Sequence, residues 1–285
     1  MLEILFGLIV AVTLALAWVS LYDTHHFKIT YKKITDSRVK KSCRFVMLSD
    51  LHGQQYGRDN VILLDAIRKE HPDGILIAGD MITALKKFKT DKVSRFMKAL
   101  MEICPVYYAN GNHELKLKLY PEQYGDLPKR FEDLVAEAKV CRLLNEHVCL
   151  EEFGICVYGS DIAREYYARL KEVEMPPEYM TEILGKPDKG VYNILLAHNP
   201  DFFANYANWG ADLVLSGHVH GGIMRLPFLG GVIAPTLKIF PKYHGGIYEH
   251  KNATMVLGRG LGTHSINLRF FNPGELIVLE FEGEN

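Results

Sequence analysis

Between Phe45 and His113 the chain repeats one pattern three times: a short apolar run, then aspartate, or asparagine, with or without histidine. Phe45-Val46-Met47-Leu48 leads to Asp50-Leu51-His52, Gly74 to Ala78 leads to Gly79-Asp80, and Pro105 to Ala109 leads to Gly111-Asn112-His113-Glu114. Asn60 to Glu70 and Val93 to Ile103, between these runs, carry apolar residues at helical spacing, and His71-Pro72-Asp73 stops the first. Uniformly apolar strands joined by helices predict parallel pairing and an α/β sheet. The polar residues then collect past the strands' carboxyl ends, where open sheets bind ligands. Runs at 155–158, 194–197, 213–215, 254–257 and 276–281 predict further strands, and the charged stretch 164–190 predicts a helix plus a surface loop.

Two later motifs extend the ligand set. His198 ends an apolar strand, and Gly217-His218-Val219-His220 follows another. At a strand end, alternate residues point to one side, so Asp50 with His52, and His218 with His220, are each expected to face one site. A carboxylate after the buried run at 74–78 is well placed to bridge two cations, and Gly111 lets backbone approach the site closely. Taken singly each piece has a bland reading, as a helix cap, a turn or a satisfied histidine. Together they offer carboxylate, amide oxygen and imidazole but no thiolate, which suits manganese, with iron or zinc as alternatives.

The order and local sequence of these motifs resemble the calcineurin-like metallophosphoesterase superfamily. His198-Asn199-Pro200-Asp201, Gly217-His218-Val219-His220-Gly221-Gly222, Pro241-Lys242-Tyr243 and Gly258-Arg259-Gly260-Leu261-Gly262 look like its membrane-associated bacterial branch, which includes enzymes similar to the UDP-diacylglucosamine hydrolases. Ile223 departs from the branch, which usually has glutamine there. The resemblance implies an α/β four-layer sandwich, two mixed β-sheets flanked by helices. It also implies roles: Asp50, His52 and His220 on a first metal, Asp80 bridging, and Asn112, His198 and His218 on a second. His113 would face the phosphoryl group, stabilising charge or protonating the leaving oxygen. Two dications against Asp50 and Asp80 leave a net double positive charge for one phosphodiester anion and one hydroxide. A water bridging metals about 3.5–4 Å apart would attack phosphorus in line.

The N-terminus adds a second constraint. Ile4 to Leu21 has no charge and no proline, and as a helix it spans roughly 27 Å, enough for a thin bilayer. Trp18 and Tyr22 fit an interfacial belt. A cleaved signal peptide and a core helix are the alternatives; the absence of a positive n-region argues against the first. After the span come Lys28, Lys32, Lys33, Arg38, Lys40, Lys41 and Arg44, which by the positive-inside rule place the domain in the cytoplasm, with a periplasmic or extracellular domain as the alternative; the stretch reads either as a contact to anionic headgroups or as a solvated linker. The expected organisation is an anchor at 1–24, a basic juxtamembrane linker at 25–41 and one domain at 42–285. The protein would then be a single-pass cell-membrane protein.

With 285 residues, 48% hydrophobic, 24% charged and a net charge of −1, the chain suits one large folded domain and gives no electrostatic case for nucleic acid. The five cysteines are an odd number without close pairing; Cys43, Cys104 and Cys156 lie in or beside apolar runs and are expected to be buried reduced thiols. The apolar stretch 223–243 reads as core or loop, or as a hydrophobic lip over the site. Arg225 and Arg259 are candidates for gripping a second phosphate. The expected activity is hydrolysis of a phosphodiester or pyrophosphate of a lipid-linked substrate. Cyclic nucleotides or phosphoproteins are the soluble alternative. A non-catalytic scaffold is disfavoured because no ligand position is missing.

Overall fold

A computed structural model describes residues 1–168, 173–222, 224–226, 230–233, 241–263 and 267–283. In chain order the strands are β1 (Phe27–Thr35), β2 (Cys43–Leu48), β3 (Gly74–Ala78), β4 (Val106–Ala109), β5 (Cys141–Arg142), β6 (Glu146–Leu150), β7 (Ile155–Gly159), β8 (Tyr192–Leu196), β9 (Leu213–Ser216), β10 (Met224–Leu226), β11 (Gly230–Ile233), β12 (Gly246–His250), β13 (Ala253–Leu257) and β14 (Gly274–Glu282). The helices are α1 (Leu2–His25), α2 (Val61–Lys69), α3 (Asp91–Met101), α4 (Asn112–Leu119), α5 (Leu127–Ala138), α6 (Tyr179–Leu184) and α7 (Phe203–Trp209).

Two six-stranded mixed sheets form the body, in the orders β1-β14-β2-β3-β4-β5 and β12-β13-β9-β8-β7-β6. The expected parallel succession is present, β2 to β3 to β4. Strand alternation explains the layers. Val46 and Leu48 of β2 face outward, packing with Leu63, Phe96 and Phe131 of the helices. Phe45 and Met47 face inward, against Val157, Ile194 and Leu213 of the second sheet. On that sheet's far side Cys156, Leu195 and Met255 meet Phe203, Tyr206 and Trp209. A strand buried on both faces must be largely apolar, as β3 is throughout and β2, β8 and β9 are but for Arg44, Asn193 and Ser216.

Two expectations need correction. The segment 25–41 is not a linker: Phe27–Thr35 pairs parallel with β14 over its whole length, at the sheet's edge. Its lysines mark an edge strand, where charge blunts further pairing. Most of that basic flank is paired within the domain, Lys33 with Glu282, Arg38 with Asp36 and Asp212, Lys41 with Glu152 and Arg44 with Glu280. Second, Cys156 is not a free thiol. The antiparallel β6–β7 register sets Cys149 directly opposite it, and the two are joined by a disulfide. Cys43 is buried and free, Cys104 partly buried and Cys141 exposed. The helix expected within 164–190 is present as α6, and a 3-10 turn at Arg164–Tyr167 precedes it. Ile223 and most of the apolar stretch 223–243 lie outside the described residues.

The helix α1 is long and apolar enough to cross a membrane, and only 6% of its apolar window is buried in the domain. Its final turn belongs to the domain, however: Ser20, Asp23 and Thr24 are buried. Asp23 Oδ2 accepts the Asn272 N–H at 2.8 Å, Ser20 Oγ accepts the Arg269 N–H at 3.3 Å, and the Thr24 carbonyl accepts from Gln54 at 3.0 Å. Asp23→Ala would strand a buried Asn272 N–H. We predict a loss of about 1–3 kcal/mol, read as a lowered Tm of the full chain. An unchanged Tm would show that the helix end is not docked there.

Candidate metal centre

Asp50, His52, Asp80, Asn112, His113, His198 and His220 are all buried, and His218 is half-buried beside them. The first three loops come from β2, β3 and β4, the last two from β8 and β9, so the centre lies where the two sheets' carboxyl ends meet. Three clusters of ligand atoms result: Asp50 with His52 and His220, Asp80 with His198 and His218, and His52 with Asp80 and His113. Asp80 Oδ2 lies 3.1 Å from His198 Nε2 and 3.8 Å from His52 Nε2; Asp50 Oδ1 lies 3.5 Å from His220 Nε2 and 3.9 Å from His198 Nε2.

Strand alternation is not what aims these residues. β2 ends at Leu48 and β9 at Ser216, and the ligands beyond them turn left-handed, with φ of 50° at Asp50, 49° at His52, 56° at Asp80, 74° at His218 and 52° at His220. That region costs a non-glycine residue about 1–2 kcal/mol. Buried carboxylates hold it in place. Glu114 accepts from the backbone N–H groups of Asp80, Met81 and Ile82 at 3.0, 2.9 and 3.3 Å, and of Gly111 at 2.9 Å. Asp80 Oδ1 accepts from the His113 N–H, and Asp50 Oδ1 from the His218 N–H, both at 2.8 Å. The loops pack so closely that a Cβ at Gly111 would strike Asp80, and one at Gly217 would strike Asp50.

Hydrogen bonds at the far ring nitrogens sort the histidines. His52 Nδ1 donates to the Ile82 carbonyl at 3.1 Å, His198 Nδ1 to the Ala78 carbonyl at 2.7 Å, and His220 Nδ1 to the Gly262 carbonyl at 3.0 Å. A carbonyl can only accept, so each of these rings, when neutral, turns an Nε2 lone pair inward, the tautomer a metal needs. His113 is the reverse. Its Nδ1 accepts the Ala84 N–H at 2.8 Å, so its proton sits on Nε2.

With His52, His198 and His220 neutral, their inward nitrogens are lone pairs beside carboxylate and amide oxygens. Asp50 Oδ2 and Asn112 Oδ1 are buried without a hydrogen-bond donor. Such a set is satisfied by cations, and its oxygen and imidazole chemistry fits divalent ions. Electrostatics agrees. Burial alone would lower the His198 pKa, but Asp80 and Asp50 drive it up to about 10. Burial pushes Asp50 up to about 6 against the pull of His198. Burial also opposes ionisation of Asp80, yet His198, His113 and His52 hold it well below the usual carboxylate range. Burial, then Asp80, raises Glu114 to about 7.

The two arginines lie next to this centre. Arg225, on β10, donates from Nη1 to the Gly221 carbonyl at 3.1 Å and to that of His244, and Arg259 Nε lies 3.8 Å from Glu275. Three supporting residues escape a reading from sequence. Glu114 was within sight, since a glutamate third after a helix start is a capping signal. Arg269, wholly buried, donates to the carbonyls of Arg259, Gly260, Gly262 and Asn272, and Asn272 Nδ2 donates to those of His220 and Gly222, both at 2.7 Å. No local pattern marks either.

Residues 43–222 match the family described as calcineurin-like phosphoesterase. An uncharacterized metallophosphoesterase of Helicobacter pylori is 28% identical over 266 residues, 90% of this chain and 65% of its own length. One from Aquifex aeolicus is 25% identical over 269 residues, 92% of this chain and 94% of its own. The chain therefore spans less than two thirds of the H. pylori relative. Among solved structures, a 5'-nucleotidase precursor of Thermus thermophilus aligns at 16% identity and a TM-score of 0.46, over 78% of this chain and 49% of that one.

Two outcomes follow. Because His198 keeps a proton up to about pH 10 in the metal-free centre, metal uptake near pH 7.5 must expel it. Metal affinity should rise with pH, roughly tenfold per unit for one competing proton. Calorimetry in buffers of different ionisation enthalpy should show proton release on binding; none would contradict the shift. Glu114→Gln replaces one of the two oxygens that between them accept from four N–H groups with an NH2 donor, so two of those N–H groups lose their acceptor. Metal affinity should fall roughly 10–100-fold, as for other supporting groups around a metal, in a metal titration. An unchanged affinity would mean that Glu114 does not set the ligand geometry.

Proposed function

We propose that this chain, which belongs to the calcineurin-like phosphoesterase family, is a metal-dependent hydrolase of a phosphodiester or pyrophosphate bond of a lipid-linked substrate, acting at a two-metal centre. Asp50, His52 and His220 would hold one divalent ion, Asn112, His198 and His218 the other, with Asp80 between them. When bound, such ions neutralise phosphoryl oxygens and make a water acidic enough to attack near neutral pH. Manganese is the proposed metal.

The observation that carries this reading is the split in tautomers. His52, His198 and His220 are fixed as lone-pair donors and His113 as an N–H donor. It refines the part given to His113. With Nδ1 occupied by the Ala84 N–H, the ring cannot also take a proton there, and loss of the Nε2 proton would leave an imidazolate. His113 therefore acts as a neutral hydrogen-bond donor to developing charge rather than as a proton source.

The docking of α1 supports a membrane substrate. One Asp23–Asn272–His220 chain of hydrogen bonds links the apolar helix to the centre, so a bilayer entered by α1 lies close to it. The basic flank supports a cytoplasmic domain, whereas the Cys149–Cys156 disulfide favours an oxidising compartment. Labelling Cys141, which is exposed and free, with an impermeant thiol reagent on intact cells decides between them.

Bis-p-nitrophenyl phosphate should be hydrolysed by the manganese-loaded full chain and not by Asp80→Asn. Inactivity of a folded, metal-loaded wild type would overturn the reading. His113→Gln should cost roughly 10²–10³-fold in kcat, the size of one lost charge-stabilising donor. That loss should be equal for p-nitrophenyl and alkyl leaving groups. A loss that grows with leaving-group pKa would make His113 a general acid instead. Detergent-dispersed lipid phosphoesters compared with cyclic nucleotides would separate the lipid from the soluble substrate reading.

A further inference from the structure

Lys28 stands apart from the carboxylate-paired members of the basic flank. Lys33, Arg38, Lys41 and Arg44 each have a carboxylate partner, whereas Lys28 joins other cations. It lies opposite Glu275 in the β1–β14 register, and Glu275 Oε2 accepts the Arg259 N–H at 3.2 Å and lies 3.8 Å from its Nε. Arg225 closes the group. A Cβ at Gly245 would meet Arg259 Cγ at 3.1 Å and Arg225 Nη1 at 3.4 Å, so both side chains border the same glycine. Three cations thus share one carboxylate. Among the described neighbours, Tyr248 also faces Arg225, and His244 is kept from adding charge: burial and then Arg225 lower its pKa. Partial burial lowers the Lys28 pKa as well, with Arg259 and Arg225 adding to it and Glu275 opposing.

An excess of partly desolvated cations needs an anion. Arg259 Nε is buried without a hydrogen-bond partner, and Arg guanidinium suits phosphate oxygens. The position is specific too. Arg225 is tied to Gly221, which directly follows His220 of the metal centre. Lys28 lies just beyond the end of α1. The same sheet face opens into a cavity of ≈ 280 Å³ lined by Thr30, Ile247, Val256, Leu257, Glu275 and Ile277, which leaves room for whatever carries the anion.

We propose that Lys28, Arg225 and Arg259 form an anion subsite for a phosphate group, separate from the metal centre and on its membrane-proximal side. Two sources share that chemistry: the headgroup phosphate of a bilayer lipid, and a second phosphate of the hydrolysed substrate. The subsite stands on its own geometry and rests on the proposed hydrolase only for its natural ligand.

The test uses the metal-loaded full chain and reads Lys28 itself, by reductive methylation followed by peptide mass spectrometry. Methyl phosphate should slow methylation of Lys28 and leave Lys33 unaffected. Arg259→Gln should raise the half-protecting concentration, and Glu275→Gln should lower it, each by at least roughly fivefold for one charge beside a partly desolvated anion. Opposite shifts from two neutralising substitutions cannot come from unfolding. Indifference of Lys28 to methyl phosphate, or half-protection unchanged in both variants, overturns the subsite. In nanodiscs without methyl phosphate, protection by phosphatidylglycerol but not phosphatidylcholine assigns the lipid headgroup; protection by methyl phosphate alone assigns the substrate phosphate. Because methylation does not depend on turnover, an inactive enzyme with a protected Lys28 would sink the hydrolase reading and leave this one standing.

Discussion

Five inward-facing side chains, Asp50, His52, Asp80, His218 and His220, stand on left-handed backbone, and the architecture of the centre follows from keeping them there. Each costs about 1–2 kcal/mol locally, which is comparable to one charge-assisted hydrogen bond, worth about 1.5–3 kcal/mol. The protein places such bonds where the strain is. Glu114 gathers the N–H groups around Asp80, and Asp50 holds the N–H of His218 across from the other sheet. Asp80 thus turns one oxygen toward the clustered histidines and fastens the His113 loop with the other. Fold and ligand geometry are one network, so a change in either should be felt in both.

That network reaches the N-terminal helix. Asn272, just before β14, holds the carbonyls of His220 and Gly222 and donates its own N–H to Asp23. Arg269 does the same for the 259–262 turn, whose Gly262 carbonyl orients His220. A helix joined to the domain through a free linker could swing; one docked through buried polar bonds fixes the direction in which the centre faces. The metal centre, the cluster of Lys28, Arg225 and Arg259, and the exit of α1 then lie along one side of the protein. This arrangement suits a substrate whose phosphate lies at a membrane surface.

The central strands were legible because burial on both faces demands continuous apolar runs: β2, β3, β4, β7, β8, β9, β13 and β14 all carry that signature. The strands that escaped, β1, β5, β6 and β12, are sheet edges, and β10 with β11 is a small hairpin. An edge strand is half exposed and tolerates lysine, so Phe27–Thr35 looked like a linker. The ligand types and their order were also legible, since their chemistry is local. How they converge was not, because a left-handed aspartate has no sequence signature. Arg269 and Asn272 were invisible for a related reason: they act on carbonyls that only the folded chain brings near.

The account rests on two cations sharing Asp80. Electron paramagnetic resonance of the manganese-titrated full chain tests that most directly. Two ions per chain with an exchange-coupled spectrum are predicted, because Asp80 Oδ2 lies within 3.1 Å of His198 Nε2 and 3.8 Å of His52 Nε2, one from each ligand cluster. Saturation at one ion per chain, or two ions with uncoupled spectra, would contradict it.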